Sequence, residues 1–401
     1  MKRSFWILMA FLILMSSGTC TRPPLEEDAM VQVLGIYPAV EEGEFVIPAI
    51  KSVYDARNYN YSDTLLFIRT DSEAGILRAP GKPLAYRPNI NNLYRLPNGN
   101  FLFSGNISDD SYSYYNTLRE ISPEGLDIRQ QNFPDRISSV CPANDGNMFY
   151  FGYELRDTLP NAFLYMKKNL AGDTLWTRSL DVGARYHNIE SGTPTADNGC
   201  IALGNIWTQD RSNDMFAVRI TADGDTLWTG RYGGDRVDYL RHALELPDAS
   251  SLLMGTIALY DSSNFDWSLS YGEQVYLVRV SSGGQKIWTL PVGKTLRESS
   301  NSLIRHSGGN YILAGNRDES YAYLFDEPVA WVAAISPDAE LLWMREFDSR
   351  ISNGILELPS GEILFLSSVV SGTYYYDYLH YFYITKISSS GTVVWDRTLT
   401  P

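Results

Sequence analysis

A short pattern of apolar and small residues recurs along the chain. It has the form small-x-apolar-apolar-apolar-x-small, with its first and last residues six apart. It reads Gly43-Glu-Phe-Val-Ile-Pro-Ala49, then Gly99-Asn-Phe-Leu-Phe-Ser-Gly105, then Gly146-Asn-Met-Phe-Tyr-Phe-Gly152. It continues as Asn198-Gly-Cys-Ile-Ala-Leu-Gly204, Ala249-Ser-Ser-Leu-Leu-Met-Gly255, Gly309-Asn-Tyr-Ile-Leu-Ala-Gly315 and Gly361-Glu-Ile-Leu-Phe-Leu-Ser367. Successive copies begin 56, 47, 52, 51, 60 and 52 residues apart, so seven copies of about 53 residues account for Val31 to Pro401. A self-similar period of that size is the mark of a repeat architecture.

Five of the apolar cores are followed by a turn that ends in tryptophan. Asn169-Leu-Ala-Gly-Asp-Thr-Leu-Trp176 matches Thr221-Ala-Asp-Gly-Asp-Thr-Leu-Trp228 and Ser281-Ser-Gly-Gly-Gln-Lys-Ile-Trp288. Ser336-Pro-Asp-Ala-Glu-Leu-Leu-Trp343 and Ser388-Ser-Ser-Gly-Thr-Val-Val-Trp395 complete the set, while the second copy keeps the turn and ends in Arg129. Every repeat divides into four short strands, in the fourth repeat 188–194, Cys200–Gly204, Met215–Ile220 and Thr226–Arg231. Tight Asn-Gly, Asp-Gly or Gly-Gly turns join strand one to two and three to four. Four antiparallel strands per repeat predict an all-β fold, a seven-bladed β-propeller of four-stranded antiparallel blades. The predicted blades are about 31–89, 90–134, 135–183, 184–234, 235–295, 296–349 and 350–401. Trp176, Trp228, Trp288, Trp343 and Trp395 are read as structural, wedged between neighbouring blades. The first copy lacks its crossing arginine and outer tryptophan, so residues 31–40 could instead complete the last blade. Six blades with N-terminal strands is the alternative.

On these motifs the chain resembles bacterial PQQ-like propeller repeats, the group that includes the outer-membrane assembly lipoprotein BamB. It is equally similar to Bacteroidetes propeller lipoproteins. The resemblance implies a fold and not an activity. The turn also resembles a degenerate sialidase Asp-box, with the glycine one place early.

The first 19 residues read as an export signal. Lys2-Arg3 precedes the apolar run Phe5 to Met15, too short to span a bilayer, which ends in Ser16-Ser17-Gly18-Thr19-Cys20. This looks like a lipoprotein signal with Cys20 lipidated, followed by a tether over 20–30, although Ser17 stands where such boxes carry leucine. A plain secretory leader is the alternative. The expected location is the cell envelope, lipid-anchored, at the outer membrane.

Removing the leader leaves 31 basic against 47 acidic side chains, a net charge of −16. Such a surface repels polyanions and argues against a nucleic-acid or anionic-membrane binder. Cys141 and Cys200 are too far apart in sequence for a disulfide framework or metal spacing and read as buried packing. No HExxH, CxxC, P-loop or GxSxG pattern occurs. No cofactor and no metal are expected, and a monomeric ring is.

Antiparallel order places the second-to-third-strand loops and the blade crossings on one rim, where loop-borne recognition is expected. That rim carries aromatic candidates Tyr114, Trp207, Trp267 and Tyr323, suited to sugar rings or a protein partner. An arginine precedes the first strand in six repeats, with a polar residue two places on: Arg87/Asn89, Arg136/Ser138, Arg185/His187, Arg236/Asp238, Arg297/Ser299 and Arg350/Ser352. These could ring the channel mouth and focus an anionic ligand; pairing with acids of the blades is the preferred role. The four histidines fall in different repeats, so catalysis has little support. The resulting expectation is a non-catalytic binding scaffold for a protein partner or glycan. A glycan-active hydrolase or lyase is the alternative.

Overall fold

The computed structural model describes residues 29–41, 43–55, 60–84, 89–108, 114–133, 136–154, 162–183, 186–207, 213–233, 238–258, 273–293, 297–318, 328–369 and 382–399. Cys20 and the leader lie outside them. The described residues form seven antiparallel sheets and no helix. Six sheets have four strands in simple sequence order, each beginning with an inner strand: Asn89–Arg95, Ile137–Pro142, Tyr186–Pro194, Asp238–Glu245, Arg297–Arg305 and Arg350–Glu357. The inner strands of successive blades pack on one another around the axis.

The two closures that the sequence left open are resolved by strand pairing. Ala29–Val33 and Tyr37–Pro38 both pair with Glu44–Asp55 inside the first sheet, and the last sheet takes all four strands from the C-terminal end. The N-terminal segment therefore completes blade 1 and not blade 7. The seam between these blades is closed by side chains. Ile47, Leu66 and Ile68 pack with Leu364, Leu366, Phe382 and Ile384 in one buried cluster. On its outer edge Arg397 pairs with Glu73 at 3.1 Å.

The hairpin turns are wider than two residues. Ala143 N–H donates to Asn147 O at 2.8 Å and Gly146 N–H to Ala143 O at 3.2 Å, which encloses three loop residues, the last at φ 82°. This is a type I turn closed by a left-handed residue. The same pair of bonds recurs in the other blades, and Gly occupies most of the left-handed sites. Ala74, Asn198, Ala249 and Ala339 occupy the rest, at φ 60°, 63°, 59° and 66°. For alanine that conformation costs about 1–2 kcal/mol, partly offset by the greater chain entropy of glycine. Ala339→Gly is accordingly expected to stabilise the protein by about 0.5–1 kcal/mol, read from the urea midpoint at unchanged slope.

The glycine in the third–fourth-strand turn also seats the tryptophan of the preceding blade. A Cβ at Gly224, Gly284 or Gly391 would lie 3.0, 2.8 or 2.6 Å from the ring of Trp176, Trp228 or Trp343. Trp176 Nε1 donates to Ala222 O and Trp343 Nε1 to Ser389 O, each at 3.0 Å. In blade 2 Arg129 takes over the role: its Nη1 donates to Leu170 O, the corresponding carbonyl of blade 3, at 3.0 Å.

Cys141 and Cys200, remote in sequence, share the buried cluster between blades 3 and 4. Both are free and fully buried, and burial pushes both thiols up. Neither is expected to react with a thiol reagent in the native state, and both should react on denaturation.

Candidate functional site: the axial mouth

The last small residue of the repeated motif has a backbone cause. In six blades the inner strand carries a β-bulge, one extra residue opposite that position. At Gly152, Gly204 and Gly255 a Cβ would stand 1.9, 1.9 and 2.0 Å from the carbonyl oxygen of Arg136, Asn188 and Tyr239. At these three positions no side chain fits so close to the bulged backbone, whereas blade 7 accommodates the buried Ser367 opposite its bulge.

The extra residues are Asn91, Ser138, Glu190, Arg241, Asn301 and Asn353. All are polar, and each stands 14 residues ahead of its partner Gly105, Gly152, Gly204, Gly255, Gly315 or Ser367. In blade 1 the corresponding position is Gly35, which lies between the two short inner strands and packs near Gly354. Because the bulge sits near the start of each inner strand, these residues ring the channel just inside the long-loop rim.

Hydrogen bonds between blades hold the ring. Ser139 Oγ donates to Glu190 O at 3.1 Å and Ser191 Oγ to Arg241 O at 3.3 Å, so a hydroxyl of the preceding blade fixes these two bulge carbonyls. Asn205 is fully buried: its Nδ2 donates to Glu190 Oε1 at 3.2 Å, and its Oδ1 accepts from Leu240 N–H at 3.2 Å. Asn316 repeats the second bond two blades on, accepting from Ser352 N–H at 2.6 Å. Across the channel Asn92 Nδ2 donates to Glu190 O at 3.0 Å, tying blade 2 to blade 4.

Charge is arranged differently at the two ends of the ring. On the short-turn rim several third-strand cations are paired within their blades, and Arg219 also reaches the next blade. Lys167 meets Asp145 at 2.7 Å, Arg219 meets Asp197 at 2.7 Å and Glu245 at 3.1 Å, Arg279 meets Asp248 at 2.8 Å, and Lys386 meets Glu362 at 2.9 Å. On the long-loop rim of blades 4 to 6, Arg241 and Arg297 are exposed. Among the described residues, neither guanidinium makes a hydrogen bond or a close ion pair. Two half-buried carboxyls lie near them, Glu190 within reach of Arg241 and Glu273 within reach of both. Burial raises Glu190 above the ordinary carboxylate range, and Arg241 offsets this in part; burial raises Glu273 likewise, offset by Arg241 and Arg297.

Among the described residues, the candidates read from sequence take different places in the ring. Arg350 lies between blades, stacked on Tyr383 at 3.8 Å and bound through Nη1 and Nη2 to Asp396 at 3.0 and 2.6 Å. That is a structural pairing, with Asp396 as partner. Asp238 is fully buried and accepts from Ala258 N–H at 3.3 Å. His187 Nε2 lies 3.4 Å from Gly152 O with its ring edge-on to Phe163, and burial lowers its pKa. Arg136 and Arg297 are exposed on the predicted rim. Trp207 is 36 % exposed at the rim end of its strand, and Tyr114 begins the third strand of blade 2. Arg87, Arg185, Arg236, Trp267 and Tyr323 lie outside the described residues.

Sequence reading missed Glu190, Arg241, Asn205 and Glu273. The constant 14-residue offset was the available signal for the first two. Among the described residues no group of three His, Cys, Asp or Glu side chains is placed to hold a metal ion. A cleft of about 20 Å³ between blades 1 and 2, lined by Leu65, Leu84, Ile90 and Phe103, has room for little more than a water molecule.

No protein family and no curated protein matches the sequence. Solved structures match over nearly the whole chain. The β-propeller domain of the Trilobed protease from Pyrococcus furiosus, described as having an open velcro topology, is 9% identical with TM-score 0.51, covering 93% of this chain and 96% of that one. The periplasmic gluconolactonase PpgL of Pseudomonas aeruginosa is 14% identical with TM-score 0.50, covering 93% and 96%. The Dos1 propeller is 9% identical with TM-score 0.50, covering 86% and 90%. At such identities the likeness is one of fold.

Proposed function

We propose that the protein is a non-catalytic cell-envelope lipoprotein whose propeller is a binding scaffold, recognising a glycan or a protein partner through its long-loop face. The observation that carries this reading is the asymmetry of the two rims. On the short-turn rim several third-strand cations are paired with acids, whereas on the long-loop rim Arg241 and Arg297 have no close partner among the described residues and stand beside a hydrogen-bonded mouth. Unpaired, oriented donors on a stiff frame suit recognition, because little ordering remains to be done on binding. The leader pattern ending in Cys20 and the likeness to PQQ-like and BamB-type repeats support placement at the outer membrane. The test is a glycan array and an envelope pull-down with the full chain. Binding in either assay that weakens on changing Trp207 or Arg297 supports the scaffold; no binding in both would refute it.

A hydrolase or lyase acting on acidic sugars is the second reading. It is favoured by one feature: two carboxyls, Glu190 and Glu273, held toward their protonated forms beside arginines in one mouth. Turnover of a uronic-acid oligosaccharide that is lost in Glu190→Gln and Glu273→Gln would establish it. Unchanged turnover in both variants would remove it.

A further inference from the structure

We infer that the mouth of blades 4 to 6 is a subsite for the carboxylate of an acidic sugar, with Arg241 as its principal anchor. The inference rests on the binding-scaffold reading and assigns its ligand class and contact residues.

Arg241 owes its position to the bulge. The extra residue turns its side chain away from the packed blade, where the neighbouring Leu240 is fully buried, and leaves Arg241 exposed in the channel wall. Its backbone is immobilised from two directions. Ser191 Oγ holds its carbonyl, and Asn205 Oδ1 holds the N–H of Leu240 just before it. The same Asn205 fixes Glu190, so cation and carboxyl project from one hydrogen-bonded frame.

The four side chains define complementary chemistry. Arg241 and Arg297 offer two guanidinium groups whose donors are unused among the described residues, and a guanidinium binds a carboxylate in bidentate fashion. Glu190 and Glu273 lie within electrostatic reach of Arg241 and offer acceptors, or one proton, to hydroxyls. A ligand with one negative charge and several hydroxyl groups fits both halves. A phosphate dianion does not, because the two carboxyls and the net charge of −16 on the mature chain oppose a second negative charge. A neutral sugar leaves both guanidinium groups without an anion.

The experiment uses the full chain without its leader and calorimetric titration with a galacturonic acid trisaccharide, its methyl ester and inorganic phosphate. The expected result is binding of the acid. Affinity for the methyl ester, and affinity of Arg241→Gln for the acid, should both fall by about tenfold or more. Arg305→Gln, an exposed arginine on the opposite rim, should bind as the parent does. Arg241 makes no hydrogen bond in the described structure through its side chain, so an unchanged denaturation midpoint should accompany the lost affinity. Equal affinity for acid and ester, unchanged binding in Arg241→Gln, tighter binding of phosphate, or no binding of the acid at millimolar concentration would each overturn the inference. The broader reading is separable: neutral glycans or an envelope protein bound equally by the parent and Arg241→Gln would leave the scaffold standing without this subsite.

Discussion

Gly204→Ala is expected to destabilise the protein by about 3–5 kcal/mol, far more than an alanine at a turn glycine. The added Cβ would lie 1.9 Å from Asn188 O and 2.8 Å from Ile189 Cα, both backbone atoms of the inner strand of the same blade. Rotation of a side chain cannot relieve that overlap, so the bulge must open or the strands must part. Opening it would move Glu190, the extra residue of that bulge, and would break the carbonyl contact from Ser139. Gly146→Ala is the matched control. Its Cβ meets nothing within 4 Å, and only φ 82° is unfavourable, worth about 1–2 kcal/mol. Urea unfolding at unchanged slope measures both. A Gly204→Ala midpoint no lower than that of Gly146→Ala would contradict the close approach that explains the motif.

His242 is expected to withdraw about 3 kcal/mol of stability between pH 6.5 and pH 4, partly offset by Glu190 and Glu273, whose raised pKa values act in the opposite direction, and His242→Gln is expected to remove that loss. His242 follows Arg241 in the inner strand of blade 5, where its backbone-facing contact is with Ser300 of blade 6. Burial lowers its pKa to about 4, with the Arg241 charge acting in the same direction. A group depressed in the folded state binds its proton first in the unfolded chain. Its contribution is therefore complete above the unfolded pKa of about 6.5 and is lost as pH falls toward the folded value. Carboxylates add a second, later loss. Asp145, Asp197 and Asp396 are held below the usual range by Lys167, Arg219 and Arg350, against a burial effect that opposes them. Their contribution is complete above pH of about 4 and disappears below it, in the parent and in His242→Gln alike. Denaturation midpoints at half-unit pH intervals separate the two regimes. Parent and His242→Gln profiles that run parallel from pH 6.5 to 4 would show that His242 does not carry this loss.

The repeat was legible because packing between blades imposes the same demands seven times. The strands read for the fourth repeat as 188–194, Cys200–Gly204, Met215–Ile220 and Thr226–Arg231 are found as Tyr186–Pro194, Cys200–Trp207, Asn213–Ile220 and Thr226–Arg231. The differences all fall at the rim ends, where the strands run on past the repeated motif, the second through Asn205, Ile206 and Trp207. The crossing arginines were legible as a series but not in their roles. Arg350 reaches outward to Asp396, 46 residues on in sequence, and a pairing of that kind depends on how two strands of one blade stack against the next.

Composition and periodicity by themselves determined that this chain is all-β, that its apolar motif recurs seven times, and that five tryptophans stand at one place in their repeats. Those properties follow from local rules: alternation along strands, turn residues, and one apolar face per blade. Only the tertiary structure decided that the ring closes without exchanging a strand, that the last glycine of the motif faces a bulge, and that Arg241 lies within reach of both Glu190 and Glu273. These depend on which backbone atoms approach across the axis, and residues that meet there come from blades some 50 residues apart, beyond the reach of any local pattern.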